Sequence, residues 1–536
     1  MPQPQTGAVV PPSLTQLAAQ HLEKIRNGKL SSEVRDKTIL CLLDYFGALG
    51  SGLSAPWAKS LLRYAQVSTS GSSGLSTSSS SSSPQSGGVS VMGLQMLCSA
   101  ETAAFTNASI AHGIIRDDMH LAAGAHIGVM VIPAALALAQ RDSWSGEQLL
   151  KAVVGGYEMA VALGSAVRSS GTCNPHFRPS GIIGAFASAA TGIMADPTIT
   201  QSQSACALGL AANMAAGLNE WPWAGGLEIT TQMGTAARAG ITSYDLAKAG
   251  VSSSLTILEG KDGLFEAYGC GDRKVAATVF RNHLLTVDDE DAASRTDETT
   301  KYGAGVMGAK FKPVAGCNFI QTPVCVALRI HDSLNSLDKN TNCATTTTSG
   351  IENIDRITIT TTSPAITYPG CDNTGPFRKV QQTKMSLQYA VSSALLFGRV
   401  DEWTYRHFSN KQLDYLIGKC VLETDAGFDE DLYKRGKQPC KIEVKMKNGH
   451  VHRDFMGDVP WLDGEAVEER FKREANTMFV DRADVTKGDP ARGVVDEIIL
   501  ECRRLGTSQS TERLFELLAS GGPLIVKDNV QDSVFE

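Results

Sequence analysis

The stretch AHGIIRDDMHLAAGAH, residues 111–126, gathers side chains suited to acid–base chemistry. It holds three of the chain's ten histidines and two adjacent aspartates among small and apolar residues. Imidazole titrates near neutral pH, and a carboxylate can orient it, so this composition suits proton transfer. The same side chains could ligate a metal, although the stretch has no H-E-x-x-H motif and no cysteine. A third interpretation places Asp117 and Asp118 in a solvated turn before a helix that begins at His126, whose N-terminus also suits a substrate carboxylate.

Two further segments carry groups that could bind an anionic substrate. NPHFRPSGIIGAFASAATG, residues 174–192, places His176 and Arg178 before a small-residue helix. Arginine can hold a carboxylate through two parallel hydrogen bonds, but an arginine on a surface loop is the simpler interpretation. NEWPWAGGLEITTQMGTAARAG, residues 219–240, places Trp221 and Trp223 around a proline. These rings could form a shaped pocket wall, or each could simply pack in the core.

The last two candidate segments lie where the chain changes from a helical to a mixed pattern. GAKFKPVAGCNFIQTP, residues 308–323, contains Lys312 in the restricted, extended position before a proline, and it also contains Gln321. ITYPGCDNTGPFRKVQQTKMSLQY, residues 366–389, contains Tyr368 beside turn residues. Interdomain clefts bind ligands, although each residue taken singly is more typical of a surface. No Walker loop or G-x-S-x-G motif occurs, which leaves cofactor-free acid–base chemistry on an anionic substrate.

The elements that must position these groups divide into two patterns. Apolar residues recur at helical spacing from Ser13 onward, and residues 127–250 are rich in small residues that allow close helix packing. Residues 67–88 are serine-rich and cannot bury apolar surface, so we predict a disordered insertion there. Beyond about residue 300, IDRITITTTSPAITY and PCKIEVKMKNGHVHRDF alternate as strands do, while KMSLQYAVSSALLFG predicts a helix. The C-terminal residues return to a helical pattern and are expected to pack on the first domain.

Composition limits the setting. The net charge of -7 argues against a nucleic-acid partner, and 42% hydrophobic with 20% charged residues is typical of a soluble globular protein. The sequence lacks an apolar run of about 18 residues, and its first residues do not resemble a secretion signal. The twelve cysteines are scattered without a C-x-x-C pair. We therefore predict a cytoplasmic protein that keeps its thiols reduced and has no membrane partner.

Several blocks occur in an order that resembles the MmgE/PrpD superfamily, which contains 2-methylcitrate dehydratase and cis-aconitate decarboxylase. They are LLDYFGALGSG, RDDMH…AH, VIPAALALAQ, VGGYEMAVALG, GTAARAG, LEGKDGLF, KFKP…C and KMSLQYAVSSALLFGRVDE. The resemblance implies a mostly α fold with an α+β second domain. A helical domain would comprise residues 1–306 and 470–536, and a smaller α+β lid domain residues 307–469. The active site would lie between them, in a homodimer without a metal or organic cofactor.

The resemblance also implies which positions line that cleft, and it exposes three departures. The matching positions are Asp117, Asp118, His126, Lys312 and Tyr368. Relatives often carry a histidine before proline where this chain has Arg178, and His176 stands two residues earlier. Family decarboxylases carry a lysine about five residues before the Gly of GTAA, where this chain has Ile229. An acidic residue often found two positions before the aspartate pair is replaced here by Ile115.

We therefore predict a cofactor-free lyase that dehydrates a citrate-like polycarboxylate, such as a 2-alkylcitrate or 2-methylcitrate. His126 would act as acid or base, with Asp117 or Asp118 as its partner, and Tyr368 would donate a hydrogen bond from the lid. The predicted substrate-binding residues are Arg178, His176, His120, Trp221, Trp223 and Gln321, with Lys312 assisting. The alternatives are a cis-aconitate-type decarboxylase, an isomerase or cyclisation catalyst in a biosynthetic pathway, and a non-catalytic binding protein.

Overall fold

The N-terminal half of the chain is built of helices joined by short connections. The computed structural model describes residues 11–70, 88–92, 94, 97–169, 174–269, 271–285, 303–339, 351–479 and 490–520. Of the serine-rich segment predicted to be disordered, residues 71–87 lie outside the described residues. The helices of this half are α1 (Leu14–Asn27), α2 (Ser32–Leu53), α3 (Pro56–Ser70), α4 (Ala100–His112), α5 (Gly128–Arg141), α6 (Gly146–Arg168), α7 (Pro179–Ala195), α8 (Gln201–Asn213), α9 (Trp221–Ala224), α10 (Glu228–Lys248), α11 (Leu264–Ala267), α12 (Arg273–Leu285) and α13 (Ala304–Met307).

Polar caps and small residues explain how these helices begin and pack. The Ser13 hydroxyl oxygen accepts a hydrogen bond from the backbone N–H of Gln16 at the start of α1, and the Gln16 side-chain oxygen accepts one from the backbone N–H of Ser13. Helices α4, α6, α7 and α10 then pack against one another. A Cβ added at Gly240 of α10 would lie 2.3 Å from the Cβ of Ser188 on α7, so these helices approach closely only because the residue is glycine.

Four short strands and the following α+β part complete the chain. The short strands are β1 (Val89–Ser90) and β2 (Leu97–Cys98), which pair antiparallel, and β3 (Met119–His120) and β4 (Ala309–Lys310), which also pair antiparallel. The later elements are α14 (Gln321–Lys339), β5 (Ile354–Thr361), α15 (Ser363–Thr367), α16 (Val380–Thr383), α17 (Leu387–Phe397), α18 (Glu402–Tyr405), α19 (Lys411–Ile417), β6 (Cys420–Thr424), α20 (Ala426–Arg435), β7 (Cys440–Met446), β8 (Val451–Met456), α21 (Gly464–Phe479), α22 (Pro490–Arg504) and α23 (Glu512–Ala519).

The α+β part is organised around one sheet with the strand order β6-β5-β7-β8. Strand β5 pairs parallel with β6 and antiparallel with β7, and β7 and β8 form a hairpin whose turn contains Gly449 at φ 87°. Along β5 the buried Ile357 and Ile359 face the core, as the alternating sequence predicts. Helices α14 and α17 pack against each other, and α14 also covers β7 and β8. The predicted fold class, mostly helical with an α+β second part, is confirmed.

Two hydrophobic cores divide the chain. The helical core combines residues of α1 to α8 and α10 to α12 with Val467, Phe471 and residues of α22 and α23, so it draws on both ends of the chain. The mixed core contains residues 317–444 together with Ile115, Trp221 and Ile229 from the helical half. The exact bounds of the two predicted domains remain a prediction.

Among the described residues, one helix is long and apolar enough to cross a membrane. It is α6, and 89% of its most apolar window is buried inside the protein. Helices α2 and α3 pass the same test only when joined, and they meet at a bend of 95°. Burial by neighbouring helices is what a core helix requires, so α6 is explained by packing.

Candidate active site

The predicted site residues Asp117 and His126 lie together at the boundary of the two hydrophobic cores. Helix α4 ends at His112, the chain turns through residues 113–118, and β3 follows. A tight turn closed by Gly124 at φ 63° then brings the chain back, so that His126 lies beside Asp117 before α5 begins. The His126 Nδ1 atom is 3.3 Å from Asp117 Oδ2, and the His112 Nδ1 atom is 2.9 Å from Asp117 Oδ1.

The hydrogen bonds of His126 determine where its proton lies. Its Nδ1 atom is 3.0 Å from the backbone carbonyl oxygen of Asp118, and a carbonyl only accepts, so Nδ1 carries the proton. The lone pair therefore sits on Nε2. Burial lowers the pKa of His126, and the nearby Lys312 lowers it further. His126 is thus a neutral imidazole at physiological pH, with one nitrogen ready to accept a proton.

His112 is held in the same tautomer by Arg178. The guanidinium Nη2 donates to His112 Nε2 at 2.7 Å, so the Nδ1–H of His112 points at Asp117. Burial lowers the pKa of His112 to about 3. Burial alone would raise the pKa of Asp117, but His112 and His126 hold it well below its usual range. The result is an ionised aspartate between two neutral imidazoles.

Arg178 links this cluster to the wall made by α9 and α10. It occupies the position before α7, and its Nη1 donates to the carbonyl oxygen of Ile229 at 3.3 Å. Its guanidinium carbon lies 5.8 Å from the ring centre of Trp221, which is buried. Only 4% of Arg178 is exposed, so its charge is largely removed from water and is available to an anion that enters the site.

Asp118 has a mainly structural environment. Its carboxylate accepts hydrogen bonds from the Tyr157 hydroxyl at 2.7 Å and from the backbone N–H of Gly128 at 2.9 Å. The second bond satisfies a donor at the start of α5. Burial raises the pKa of Asp118 to about 7. The side chain fixes α5, while the backbone carbonyl of the same residue orients His126.

Lys312 reaches the cluster from the chain segment after β4. It is fully buried, and its ammonium donates to the carbonyl oxygens of Ile115 at 3.0 Å and Gly316 at 3.1 Å. Burial lowers its pKa to about 8, although Asp117 acts in the opposite direction. Two of its three N–H donors are used by the backbone, which leaves one for a ligand.

The backbone of Ile115, whose carbonyl accepts one of the two Lys312 hydrogen bonds, has a strained conformation. Its φ is 54°, a region that β-branched residues avoid at a cost of about 1–3 kcal/mol. The backbone N–H of Gly316 also donates to the Ile115 carbonyl, at 3.1 Å. The Ile115 side chain packs into the mixed core. This residue of the helical half therefore joins the mixed part through both its backbone and its side chain.

A buried ion cluster holds the backbone of Lys312 in place. Asp44 on α2 pairs with Arg470 on α21 and with Arg116, whose Nη1 lies 3.1 Å from the Asp44 carboxylate. Arg470 also donates to the backbone carbonyl of Lys312. Arg116 immediately precedes the aspartate pair, so one cluster fixes both chain segments that carry the site.

Tyr368 and two cysteines form the wall contributed by the mixed part. Tyr368 is half-buried, and burial raises its pKa to about 12 even though Arg178 acts in the opposite direction. Cys317 and Cys371 are buried, and their sulfurs are 3.8 Å apart. A hydrogen bond from the Cys371 thiol lowers the pKa of Cys317, and Lys312 and Arg178 add to this effect.

The remaining predicted binding residues are not brought to the cluster. His120 is buried, accepts from the backbone N–H of Ala123 and interacts with Glu158. His176 and Trp223 are exposed. Both ends of the Gln321 amide bind backbone of the segment that follows Lys312. Of the six predicted substrate-binding residues, only Arg178 and Trp221 therefore lie beside the His–Asp cluster.

The family models establish the relationship that the sequence blocks indicated. Residues 16–276 match the MmgE/PrpD N-terminal domain, and residues 315–485 match the MmgE/PrpD C-terminal domain. The chain belongs to the MmgE/PrpD family. Two curated relatives, the cis-aconitate decarboxylase of Aspergillus terreus and that of Aspergillus terreus strain NIH 2624 / FGSC A1156, are each 27% identical over 242 residues. Each match covers 44% of this chain and 46% of the relative, so it spans less than half of either protein.

This MmgE/PrpD protein also contains site residues that sequence reasoning missed. His112 belongs to the opening stretch, but nothing in its spacing indicates the contact with Arg178, 66 residues away. Cys317 and Cys371 come together across 54 residues. Each cysteine follows a predicted site residue by a few positions, in KFKP…C and YPGC. This proximity is the signal that the sequence offers for them.

The donor atoms of His112, Asp117 and His126 lie within 4.8 Å of one another, a spacing that could hold a metal ion. In this MmgE/PrpD protein the facing nitrogens of both rings are occupied with hydrogen bonds to Asp117 or to the Asp118 carbonyl. Lys312 and Arg178 add positive charge beside them. A cation would have to displace these bonds against like charge, so the arrangement favours an anion.

Proposed function

We propose that this protein is a cofactor-free lyase that removes water from a citrate-like polycarboxylate, with a 2-alkylcitrate or 2-methylcitrate as its substrate. The observation that carries the proposal is the neutral His126, with its Nε2 lone pair available, beside two buried cations. Elimination of water next to a carboxylate needs a base for the carbon-bound proton and positive charge for the enolate-like intermediate. The family membership and its decarboxylase relatives support a lyase.

His126 takes the proton in this mechanism. Its ring is oriented by the Asp118 carbonyl, and Asp117 stabilises the imidazolium that forms. Because the pKa of His126 is lowered, the base form is the resting form at neutral pH. His112, which shares the Asp117 carboxylate, holds that carboxylate in position between the two rings.

Arg178 and Lys312 bind the substrate carboxylates. With Asp117 ionised and both imidazoles neutral, these two cations and the His–Asp cluster together have one net positive charge, which attracts a polyanion. Both cations are buried, so each interacts with the developing enolate charge more strongly than it would in water. The ring of the buried Trp221 lies beside Arg178, and an apolar neighbour of this kind suits an alkyl substituent.

Tyr368 protonates the departing hydroxyl. A phenol with a pKa of about 12 remains protonated until a stronger base, such as a leaving hydroxide, develops beside it. Arg178 lowers the pKa of Tyr368 and thus stabilises the transient phenolate. The imidazolium of His126 then gives up its proton and the Tyr368 phenolate regains one, which restores both residues to their starting state.

Decarboxylation of a cis-aconitate-type substrate is the second candidate, because both curated relatives carry that name. The resemblance implies that family decarboxylases carry a lysine at the position that Ile229 occupies here. Its carbonyl accepts from Arg178 and its side chain is fully buried in the mixed core. This replacement removes a cation from the site and favours dehydration.

Mass analysis of products distinguishes the two reactions. The purified protein is incubated with citrate, 2-methylcitrate, longer 2-alkylcitrates and cis-aconitate, and a His126→Ala variant serves as the control. We expect loss of water from one of the citrates, and none with the variant. Release of carbon dioxide from cis-aconitate would instead establish the decarboxylase, and binding without turnover of any substrate would refute a lyase. We further propose that the protein works as a cytoplasmic homodimer, which sedimentation and fractionation test directly.

A further inference from the structure

We propose that Cys317 and Cys371 form a peroxide-sensitive dithiol whose oxidation to a disulfide switches the site off. The two sulfurs are 3.8 Å apart, and both residues are buried in the mixed core. A disulfide has a sulfur–sulfur length of about 2.05 Å, so the sulfurs need to approach by less than 2 Å. The chemical part of this proposal does not depend on the proposed function; only its activity readout does.

The surroundings of the pair favour reaction at Cys317. The Cys371 thiol donates toward Cys317, and Lys312 and Arg178 place positive charge near the Cys317 sulfur. Such surroundings stabilise a thiolate, which is the reactive form of cysteine. About 5% of Cys317 is exposed, whereas Cys371 has no exposed surface. A small oxidant that enters the substrate cleft would therefore meet Cys317 first.

Hydrogen peroxide is the oxidant, and the reaction balances in two steps. The Cys317 thiolate attacks one peroxide oxygen, the O–O bond breaks, and the departing hydroxide takes a proton to become water while Cys317 becomes a sulfenic acid. The Cys371 sulfur then attacks the Cys317 sulfur. Its own proton and the sulfenic hydroxyl leave as a second water, and the S–S bond forms. Two thiols are oxidised, and one peroxide is reduced to two waters.

The new bond would pull on two segments that carry site residues. The neighbour of Cys317, Gly316, supplies the carbonyl that holds Lys312, and it adopts a φ of 111° that restricts adjustment. The backbone N–H of Cys371 donates to the carbonyl of Tyr368 and closes the turn that carries the phenol. A displacement of reacting groups by about 1 Å can cost 10²-fold in rate. We expect the oxidised protein to lose activity by about that factor.

Peptide mapping of the full-length protein tests the chemistry. The protein is treated with hydrogen peroxide, quenched in acid, alkylated and digested. We expect a disulfide-linked pair of peptides containing Cys317 and Cys371, which a thiol reductant separates. Alkylation of both residues after a treatment that oxidises other cysteines would overturn the proposal. This measurement uses the wild-type chain, so it stands even if a cysteine variant fails to fold.

Variants connect the chemistry to activity. Cys371→Ser should leave Cys317 as a sulfenic acid that a carbon nucleophile such as dimedone traps, while Cys317→Ser should form no linked peptide. Cys440→Ala, at a buried cysteine in β7, is the matched control and should oxidise like the wild type. In the wild type, activity should fall with peroxide and return with reductant. Equal peroxide inactivation of the Cys317→Ser variant would show that the pair is not the switch.

Discussion

We expect turnover to decline at alkaline pH, because Lys312, the proposed ligand of a substrate carboxylate, is buried. Its side chain has no exposed surface, and burial lowers its pKa to about 8. Below that pH the ammonium is charged and can bind a carboxylate. Above it, the amine loses its charge and its attraction for the substrate, so activity must fall as the pH rises through about 8.

The size of the effect follows from the titration of a single group. With a pKa of about 8, half of the lysine is charged at pH 8 and about one hundredth at pH 10, so kcat/KM should fall about 50-fold between these pH values. Replacing Lys312 with arginine keeps a positive charge throughout, because a guanidinium has a pKa above about 12. The Lys312→Arg variant should therefore lose this alkaline decline, whatever activity it retains.

The assay measures initial rates across pH for the wild type, Lys312→Arg and a control, Lys310→Arg. Lys310 is exposed two residues earlier, so its replacement should leave the profile unchanged. Thermal melts at each pH exclude loss of the fold. A wild-type rate that stays constant to pH 10, or a decline near pH 8 that persists in Lys312→Arg, would refute the assignment.

Four further predictions concern the same site. His126→Ala should lower kcat by about 10²–10⁴-fold with an unchanged circular dichroism spectrum. Replacing the exposed His176 should leave turnover near wild type, and equal effects of the two substitutions would refute the role of His126 as the base. Arg178→Ala should raise KM as well as lower kcat, because a carboxylate contact exists before the transition state, and a change in kcat alone would contradict that role. Arg470→Met should cost about 1–3 kcal/mol of unfolding free energy, because it removes one of the two arginines that pair with the buried Asp44 and leaves the Lys312 carbonyl without its donor. The exposed Arg503→Met should cost less than about 1 kcal/mol in denaturant titrations. EDTA should leave turnover intact, and loss that one divalent metal restores would reassign the His–Asp cluster as a metal site.

The sequence predicts much of the local structure because local rules produce it. Helical periodicity from Ser13 onward anticipates α1, and the alternation of apolar and polar residues anticipates β5, β7 and β8. The spacing within residues 111–126 places Asp117 and His126 in one candidate site, and the structure brings their side chains within 3.3 Å. These features depend on residues only a few positions apart, so one sequence suffices to see them.

The contacts that complete the site span long distances in sequence, and the sequence alone could not supply them. Arg178 meets His112 across 66 residues, and Arg470 meets the Lys312 carbonyl across 158. Even within one stretch, spacing misleads: the turn at Gly124 directs His120 toward Glu158 while His126 faces Asp117. Only the folded backbone shows which of the two nearby histidines contacts Asp117.

The ion pair between Asp44 and Arg470 has a consequence for the order in which the chain folds during synthesis. The two residues are 426 positions apart. Because ribosomes add about 5–20 residues per second, Arg470 is synthesised roughly 20–90 s after Asp44. Meanwhile the face of α2 that α21 later covers stays open. The mixed part needs Ile115, Trp221 and Ile229, all of which have already emerged. The nascent chain can therefore complete the smaller core first, and release of the last helices closes the larger one.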